Sequence, residues 1–276
     1  MIRIGCTSFK EHTYLTGKKE TTLYEYAGYF PLVEMDTGFY FIPSRSNIEG
    51  WLKQVPEQFR FIVKVQKIFT KHQELEEGQM LTELADQLKS NMAPMLESGR
   101  LFCLLAQFPA TFKCTRENVD YLRILRQLFQ DWPIAIEFRD RSWYEEKYIE
   151  GTRNFMKNHR FSLVVVDEPK KLSTTVPLDA YVTNEDFAFF RFHGRNDMGW
   201  TATGPDAQKV RTNYRYNAEE LAELQRAVES AKEKSKEIAV IFNNNAGGDA
   251  AENAIEFKRR LDLDYDELNP SQLELF

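Results

Sequence analysis

The sequence predicts one TIM-like (β/α)8 barrel, an α/β fold of parallel strands wrapped by outer helices. Three observations carry this. Apolar, β-rich runs alternate with helical patterns from end to end. The eight alternations fill about 260 residues, close to the roughly 250 typical of such barrels. Nearly every predicted strand turns from apolar to polar at its C-terminal end, the end where barrels build their active sites. A doubly wound open sheet is the competing architecture, but no glycine-rich dinucleotide turn follows the first strand.

The elements follow from local pattern. Ile2–Thr7 is the first predicted strand and Thr22–Tyr29 a short helix. Leu32–Thr37 is the second strand, and Ser44–Gln54 a helix that ends near Pro56. In the third strand, Phe59–Gln66, a period of two puts Ile62, Lys64 and Gln66 on one face and Phe61, Val63 and Val65 on the other. Glu77–Leu96 carries Leu81, Leu84, Leu88, Met92 and Met95 at helical spacing, a core stripe. Leu101–Gln107 is the fourth strand, closed by Pro109, after which Thr115 caps a helix bearing Val119, Leu122, Leu125 and Phe129.

The fifth strand, Ile134–Phe138, directs Ala135, Glu137 and Arg139 one way and Ile134, Ile136 and Phe138 the other. Ser142 and Glu145 have the spacing of a helix capping box. Phe161–Asp167 is a sixth strand, stopped by Glu168-Pro169, and Phe187–His193 a seventh. Asn217 and Glu220 cap a helix over Asn217–Lys232, Ile238–Asn243 is the eighth strand, and Ala250, Ala254, Phe257 and Leu261 mark a final helix. The connections Glu168–Asp186 and Gly194–Tyr216 are long enough to act as lids or binding loops. Residues 1–262 form the single expected domain, followed by a tail over 263–276.

Composition narrows the function. With 42% hydrophobic and 13% aromatic residues the chain has material for a packed core. A formal net charge of −6 argues against a broad nucleic-acid-coating surface. Cys6, Cys103 and Cys114 show neither metal spacing nor a disulfide framework, as suits a reducing cytoplasm. Met1-Ile2-Arg3-Ile4 opens as a strand rather than a signal peptide, and no apolar run reaches the ~20 residues of a membrane span.

Three chemistries fit the polar strand ends. In the first, Arg139, Arg191, Arg195 and Lys64 bind an anion, with the turn Asn243-Asn244-Asn245-Ala246-Gly247-Gly248 offering backbone N–H groups to a phosphate. In the second, Glu34, Asp36, Glu137 and Asp167 do acid/base work. In the third, His193 joins Glu137, Glu34 or Asp167 around one hard divalent cation. A multinuclear zinc site is not expected, because only four histidines exist and His12 and His159 lie away from strand ends. Gln66, Thr70, His72 and Gln107 stand at the same end, and Trp143, Tyr144, Trp200, Tyr214 and Tyr216 lie near this rim as stacking or packing groups.

Four motifs occur in order: Glu137-Phe138-Arg139-Asp140-Arg141-Ser142-Trp143, Val166-Asp167-Glu168-Pro169, Arg191-Phe192-His193-Gly194-Arg195 and Asn243–Asn245. Together they resemble the YecE-like, or YunF-like, family, catalogued as domain of unknown function 72, over nearly the whole chain. The resemblance implies a TIM-type barrel and no particular activity. It marks Glu137, Arg139, Asp167, Arg191, His193, Arg195 and Asn244. The family pattern Asn-Ser-Thr-Phe-Tyr is here Asp36-Thr37-Gly38-Phe39-Tyr40, so a role tied to that Asn does not carry over.

The tail residues Gln272, Leu273, Glu274, Leu275 and Phe276 look like the pentapeptide by which bacterial proteins dock on the replication sliding clamp. A Gln amide would hydrogen-bond while Leu and Phe fill an apolar pocket. The leading expectation is therefore an enzyme acting on a phosphate-bearing substrate at the C-terminal face, with nucleic acid processing linked to the clamp as its finer form. Glu137, Asp167 and His193 are the expected catalytic groups. A sugar-phosphate isomerase or hydrolase is one alternative, and a non-catalytic ligand-binding adaptor is the other.

Overall fold

A computed structural model describes residues 1–204 and 207–270. Its strands are β1 (Ile2–Thr7), β2 (Leu32–Met35), β3 (Arg60–Lys64), β4 (Leu101–Gln107), β5 (Ile134–Glu137), β6 (Ser162–Leu163), β7 (Val165–Asp167), β8 (Phe187–Phe192) and β9 (Glu237–Phe242). They form one parallel sheet in the order β6-β5-β4-β3-β2-β1-β9-β8-β7. Its two edge strands, β6 and β7, are separated by Val164 alone. The predicted sixth strand is thus broken in two. Val164 N donates to Ile136 O of β5 at 2.9 Å while Val165 pairs with Phe190 of β8. That run nearly closes the sheet into the expected barrel.

Period-two alternation sorts the strand residues. Leu32, Ile62, Leu105, Ala135, Val166, Phe189 and Ile241 pack together inside the barrel. Val33, Phe61, Val63, Leu104, Ile136, Val165, Phe190 and Val240 face outward into the larger core beneath the helices. Strands buried on both faces read as continuous apolar runs for this reason. Arg3 sits 2.6 Å from Glu237 near the N-terminal end of the strands.

The helices are α1 (Thr13–Thr16), α2 (Leu23–Tyr26), α3 (Arg45–Leu52), α4 (Leu81–Glu97), α5 (Arg116–Phe129), α6 (Glu146–Asn158), α7 (Asp197–Thr201), α8 (Ala207–Arg211), α9 (Ala218–Glu229) and α10 (Asp249–Arg260). The side chains of Ser44, Thr115 and Asn217 cap α3, α5 and α9, and Thr22 with Glu25 closes a capping box on α2. These caps satisfy N–H groups that a helix leaves open. Among the described residues no helix lies between β7 and β8, so the sixth strand–helix unit is replaced by the extended segment 168–186.

Three local expectations are corrected. The second strand stops at Met35, and Asp36–Phe39 winds as a 3-10 turn. Gly38 permits it, because a Cβ there would stand 2.2 Å from Lys64 O. The α4 helix starts at Leu81 rather than Glu77. Ser142 and Glu145 do not form a capping box: Asp140 accepts from Ser142 N and caps the 3-10 turn Arg141–Tyr144, while Glu145 merely precedes α6. Asp140, two residues before Ser142, competes successfully for the same free N–H.

The described part of the tail lies back on the barrel. Ile4 N donates to Tyr265 Oη at 3.0 Å, and Asn269 Nδ2 donates to Tyr24 O and Gln54 O at 2.9 and 2.8 Å. These partners lie at the N-terminal ends of the strands, opposite the polar strand ends. Gln272, Leu273, Leu275 and Phe276 lie outside the described residues. Among the described residues no helix is long and apolar enough to cross a membrane.

Candidate active site

Parallel register brings Thr7 beside Glu34 and Gln107 beside Glu137 at the C-terminal end of the barrel. Continuing the inward face of each strand places Lys64 after Ile62, Glu137 after Ala135, Arg191 after Phe189 and Asn243 after Ile241. One cleft of about 640 Å³ opens above them, and Asp36, Lys64, His72, Gln107, Arg139, Arg191, His193, Arg211 and Asn243 all line it. The aromatic lining is Phe39, Tyr40 and Trp200.

Beneath the cleft runs an alternating chain of charge. Arg191 donates to Glu34 through Nε at 2.7 Å and Nη2 at 2.6 Å, and to Glu137 Oε2 through Nη1 at 2.5 Å. Arg139 Nε lies 2.6 Å from Glu137 Oε1, and its Nη1 donates to Glu168 Oε1 at 2.5 Å. The order is Glu34, Arg191, Glu137, Arg139, Glu168. Of the five only Arg139 has appreciable exposure, 14% of its side chain. Gln107 Oε1 accepts from Arg191 Nη1 at 3.2 Å.

The environment sets each protonation state. Burial pushes the carboxyls of Glu34 and Glu168 up to about 7, against the pull of Arg191 on one and Arg139 on the other. Burial alone would also raise Glu137, but Arg139, Arg191 and His193 outweigh it and hold that carboxyl well below its ordinary value. Burial works against the Arg191 charge, which Glu137 and Glu34 more than restore.

His193 is held down to about 3, by burial first and then by Arg139. Asn243 Nδ2 lies 2.8 Å from its Nδ1, and Arg139 Nη2 lies 3.1 Å from its Nε2, which also stands 3.2 Å from Glu137 Oε1. Both ring nitrogens are engaged, so in this arrangement the imidazole positions Asn243 and Glu137 rather than offering a lone pair to the cleft.

Of the residues named from sequence, Glu137, His193, Arg139, Arg191, Lys64 and Asn243 meet here. Asp167, Arg195 and Asn244 do not. Asp167 follows outward-facing Val165. It accepts from Arg195 Nε at 2.9 Å and Nη2 at 2.7 Å, and from Tyr216 Oη at 2.7 Å. Burial raises its carboxyl against the pull of Arg195. Tyr216 Oη in turn accepts from Gly194 N at 2.8 Å. Gly194 has φ +90° and a Cβ there would lie 2.6 Å from Tyr214 Cβ, so glycine alone suits this turn. The network fixes the start of the segment that carries Trp200 and Arg211 over the cleft. Asn244 is buried behind it, donating to Tyr214 O at 2.8 Å and Asn253 Oδ1 at 2.9 Å. Asn245 is half-buried, with Nδ2 3.5 Å from Glu11.

Glu168 was missed from sequence, where it counted only as a strand stop before Pro169. Extending Val164 and Val166 by two places it on the inward face. Arg211, whose guanidinium lies 4.8 Å from the Trp200 ring while that of Arg139 lies 5.5 Å from the same ring, gave no local signal. Trp143 is a packing group, stacked on Phe138 at 4.0 Å and donating to Phe112 O at 2.8 Å.

Among the described residues no three His, Cys, Asp or Glu side chains gather in a metal-holding group. The donor set envisaged for a divalent cation is divided: Asp167 lies outside the barrel, and the oxygens of Glu34 and Glu137 already face guanidiniums. Cys6, Cys103 and Cys114 are free thiols.

A parallel barrel with buried arginine–glutamate pairs at its C-terminal mouth defines the class of protein, and the comparisons give the family. The model for the protein of unknown function DUF72 matches residues 3–274, and the chain belongs to that family. It is 39% identical over 282 residues to the UPF0759 protein YunF of Bacillus subtilis (strain 168), covering all of both chains. Among solved structures, a DUF72 family protein from Enterococcus faecalis V583 is 50% identical with a TM-score of 0.94, over 99% of this chain and 100% of the other. Another, from Thermotoga maritima MSB8, is 34% identical with a TM-score of 0.80, over 95% of this chain and 100% of the other.

Proposed function

We propose that the chain is an enzyme that holds a phosphate-bearing substrate in the cleft through Lys64, Arg139, Arg211 and Arg191. One observation carries the reading. Four cationic side chains line one cleft, while Glu34, Glu137 and Glu168, which balance the arginines beneath it, are not among its lining. A ligand entering from solvent meets the guanidiniums of Arg139 and Arg211 before the buried carboxylates, while Asp36, in the lining 3.8 Å from Lys64 Nζ, partly offsets the ammonium. Arginine's planar fork matches phosphate oxygens, and lysine adds a point charge. Glu137 serves this reading as a permanent anion that aims both arginines. Phe39, Tyr40 and Trp200 offer apolar contact to the remainder of the substrate.

The test is calorimetric titration with inorganic phosphate, sugar phosphates, nucleotides and a short oligonucleotide, followed by a turnover screen of whatever binds. Turnover of small phosphorylated sugars favours the isomerase or hydrolase form. Binding with no turnover favours a non-catalytic adaptor, and no binding of any phosphate ends the reading.

The finer form of the proposal is nucleic acid processing, with Gln272–Phe276 docking on a sliding clamp. Its support is the peptide sequence together with the packing of residues 263–270, which brings Pro270 out at the face opposite the cleft. Docking there would leave the cleft open to a substrate.

A further inference from the structure

A second pocket, of about 250 Å³, opens beside the cleft, and Tyr40 lines both. The end of the third strand supplies one lining amide. Gln66 stands two residues past Lys64, just before the 3-10 turn Lys67–Thr70. The connection to α4 supplies two more, Gln73 and Gln79. That connection is tied off before the helix starts. Gln79 Nε2 donates to Glu76 Oε2 at 3.3 Å, Glu76 N donates to Gln79 Oε1 at 3.1 Å, and Gly78 between them takes φ +83°.

The two spaces differ in charge. Cations outnumber Asp36 in the cleft, whereas in the pocket one ammonium, Lys67, meets one carboxylate, Glu76, and the amides are neutral. An anion therefore favours the cleft, and the pocket suits an uncharged polar group. An amide both donates and accepts, as a hydroxyl does. Gln66 Oε1 is screened from solvent and accepts no hydrogen bond among the described residues. Such an acceptor costs free energy until something donates to it. Most rings of the cleft are already occupied. Lys64 Nζ lies over Phe39 at 4.6 Å, and the guanidiniums of Arg139 and Arg211 lie 5.5 and 4.8 Å from Trp200. Tyr40, edge-on to Phe39 at 5.4 Å, is 64% exposed and so is open to a ligand.

We propose that this pocket is a sugar subsite. The phosphate sits among the cations of the cleft, and a sugar ring joined to it lies against Tyr40 with its hydroxyls on Gln66, Gln73 and Gln79. The inference rests on the phosphate-binding reading for the anion, but the subsite for the ring stands without it. Amides drawn from three points along the chain suit hydroxyls that project all round a ring. A nucleobase carries polar atoms only along its edges and fits best between two flat faces, and Tyr40 is the one aromatic ring lining this pocket among the described residues.

Two measurements on the full chain test this. Saturation-transfer difference NMR with glucose and with ribose, neither phosphorylated, is expected to show transfer to the ring protons of at least one sugar. Tyr40→Ala should abolish it and Tyr40→Phe should keep it. Calorimetry then compares inorganic phosphate with glucose 6-phosphate, ribose 5-phosphate and adenosine monophosphate. A sugar phosphate should bind about tenfold tighter than inorganic phosphate, and Tyr40→Ala should erase that gain while leaving the affinity for inorganic phosphate unchanged. A gain confined to glucose 6-phosphate assigns the subsite to free sugar phosphates, and one shared by ribose 5-phosphate and adenosine monophosphate assigns it to the ribose of a nucleotide. No transfer to either sugar, or transfer that survives Tyr40→Ala, overturns the subsite whether or not phosphate binds. A gain with adenosine monophosphate alone makes this a base pocket and overturns it too. Tyr40-dependent transfer with no phosphate binding keeps the subsite and sinks the phosphate reading instead.

Discussion

Arg191 and Glu34, 157 residues apart in sequence, form a two-toothed ion pair inside the barrel at 2.7 and 2.6 Å. Glu137 takes the remaining end of the same guanidinium. The side chains are 0–1% exposed, so each depends on the others for its charge. Arg191→Met is expected to destabilise the chain by about 3–5 kcal/mol, because it strands two buried carboxyls without their cation. Urea unfolding measures this, and a loss under about 1 kcal/mol would show that Glu34 and Glu137 simply take up protons.

Glu34 and Glu168 make stability depend on pH. Their carboxyls are raised from 4.5 to about 7 in the folded chain. Between those values the folded state keeps protons that the unfolded state has released, so their contribution is whole below 4.5 and fades as pH rises to 7. His193, lowered to about 3, acts in the opposite sense, adding stability as pH rises from 3 to its ordinary 6.5. A difference measurement separates the two. Glu168→Gln should gain on the wild type by about 1–3 kcal/mol as pH rises through the carboxyl window. Parallel stability profiles for the two chains would contradict the raised carboxyl.

Tyr216→Phe probes the outer network. It removes the acceptor of Gly194 N and a donor to Asp167. The expected cost is about 1–3 kcal/mol from the stranded N–H, read from thermal or urea unfolding. An unchanged midpoint would mean that the Gly194 turn is held by other contacts.

Much of this was legible because strand parity and helix caps are local. Ala135 to Glu137 to Arg139, and Phe189 to Arg191 to His193, follow from a period of two. Thr115 and Asn217 were visible as caps from their own neighbourhoods, whereas Thr22 and Ser44 were read only as the first residues of their helices. The same parity rule, applied past Val166, points Glu168 inward and Asp167 outward. Proline at 169 obscured this by reading as the end of the strand. Asn244 shares a motif with Asn243, but one position along the strand reverses the face; Arg195 has the parity of His193 and is turned away by Gly194 at φ +90°. Trp200 and Arg211 were illegible as partners of Arg139, since that meeting depends on a long connection pinned by Tyr216 and by Asn196, whose Nδ2 donates to Val210 O at 2.8 Å and Asn213 O at 3.1 Å, rather than on any local pattern.

The tail gives a separate prediction. The full chain should bind a bacterial sliding clamp in surface plasmon resonance, and a chain lacking Gln272–Phe276 should not. Equal binding by both, or by neither, would remove the clamp from the account and make a small phosphorylated metabolite the better search.

The central claim is that the cleft binds phosphate through its lining cations. Arg211→Ala tests it most cleanly, because Arg211 stands on the covering segment rather than in the buried charge chain. Calorimetric titration of wild type and variant with the best phosphorylated ligand is the decisive measurement. The account predicts saturable binding by the wild type and about tenfold weaker binding by the variant, the loss of one charge-assisted contact worth about 1.5 kcal/mol. Identical affinities, or no phosphate binding by the wild type, would contradict it.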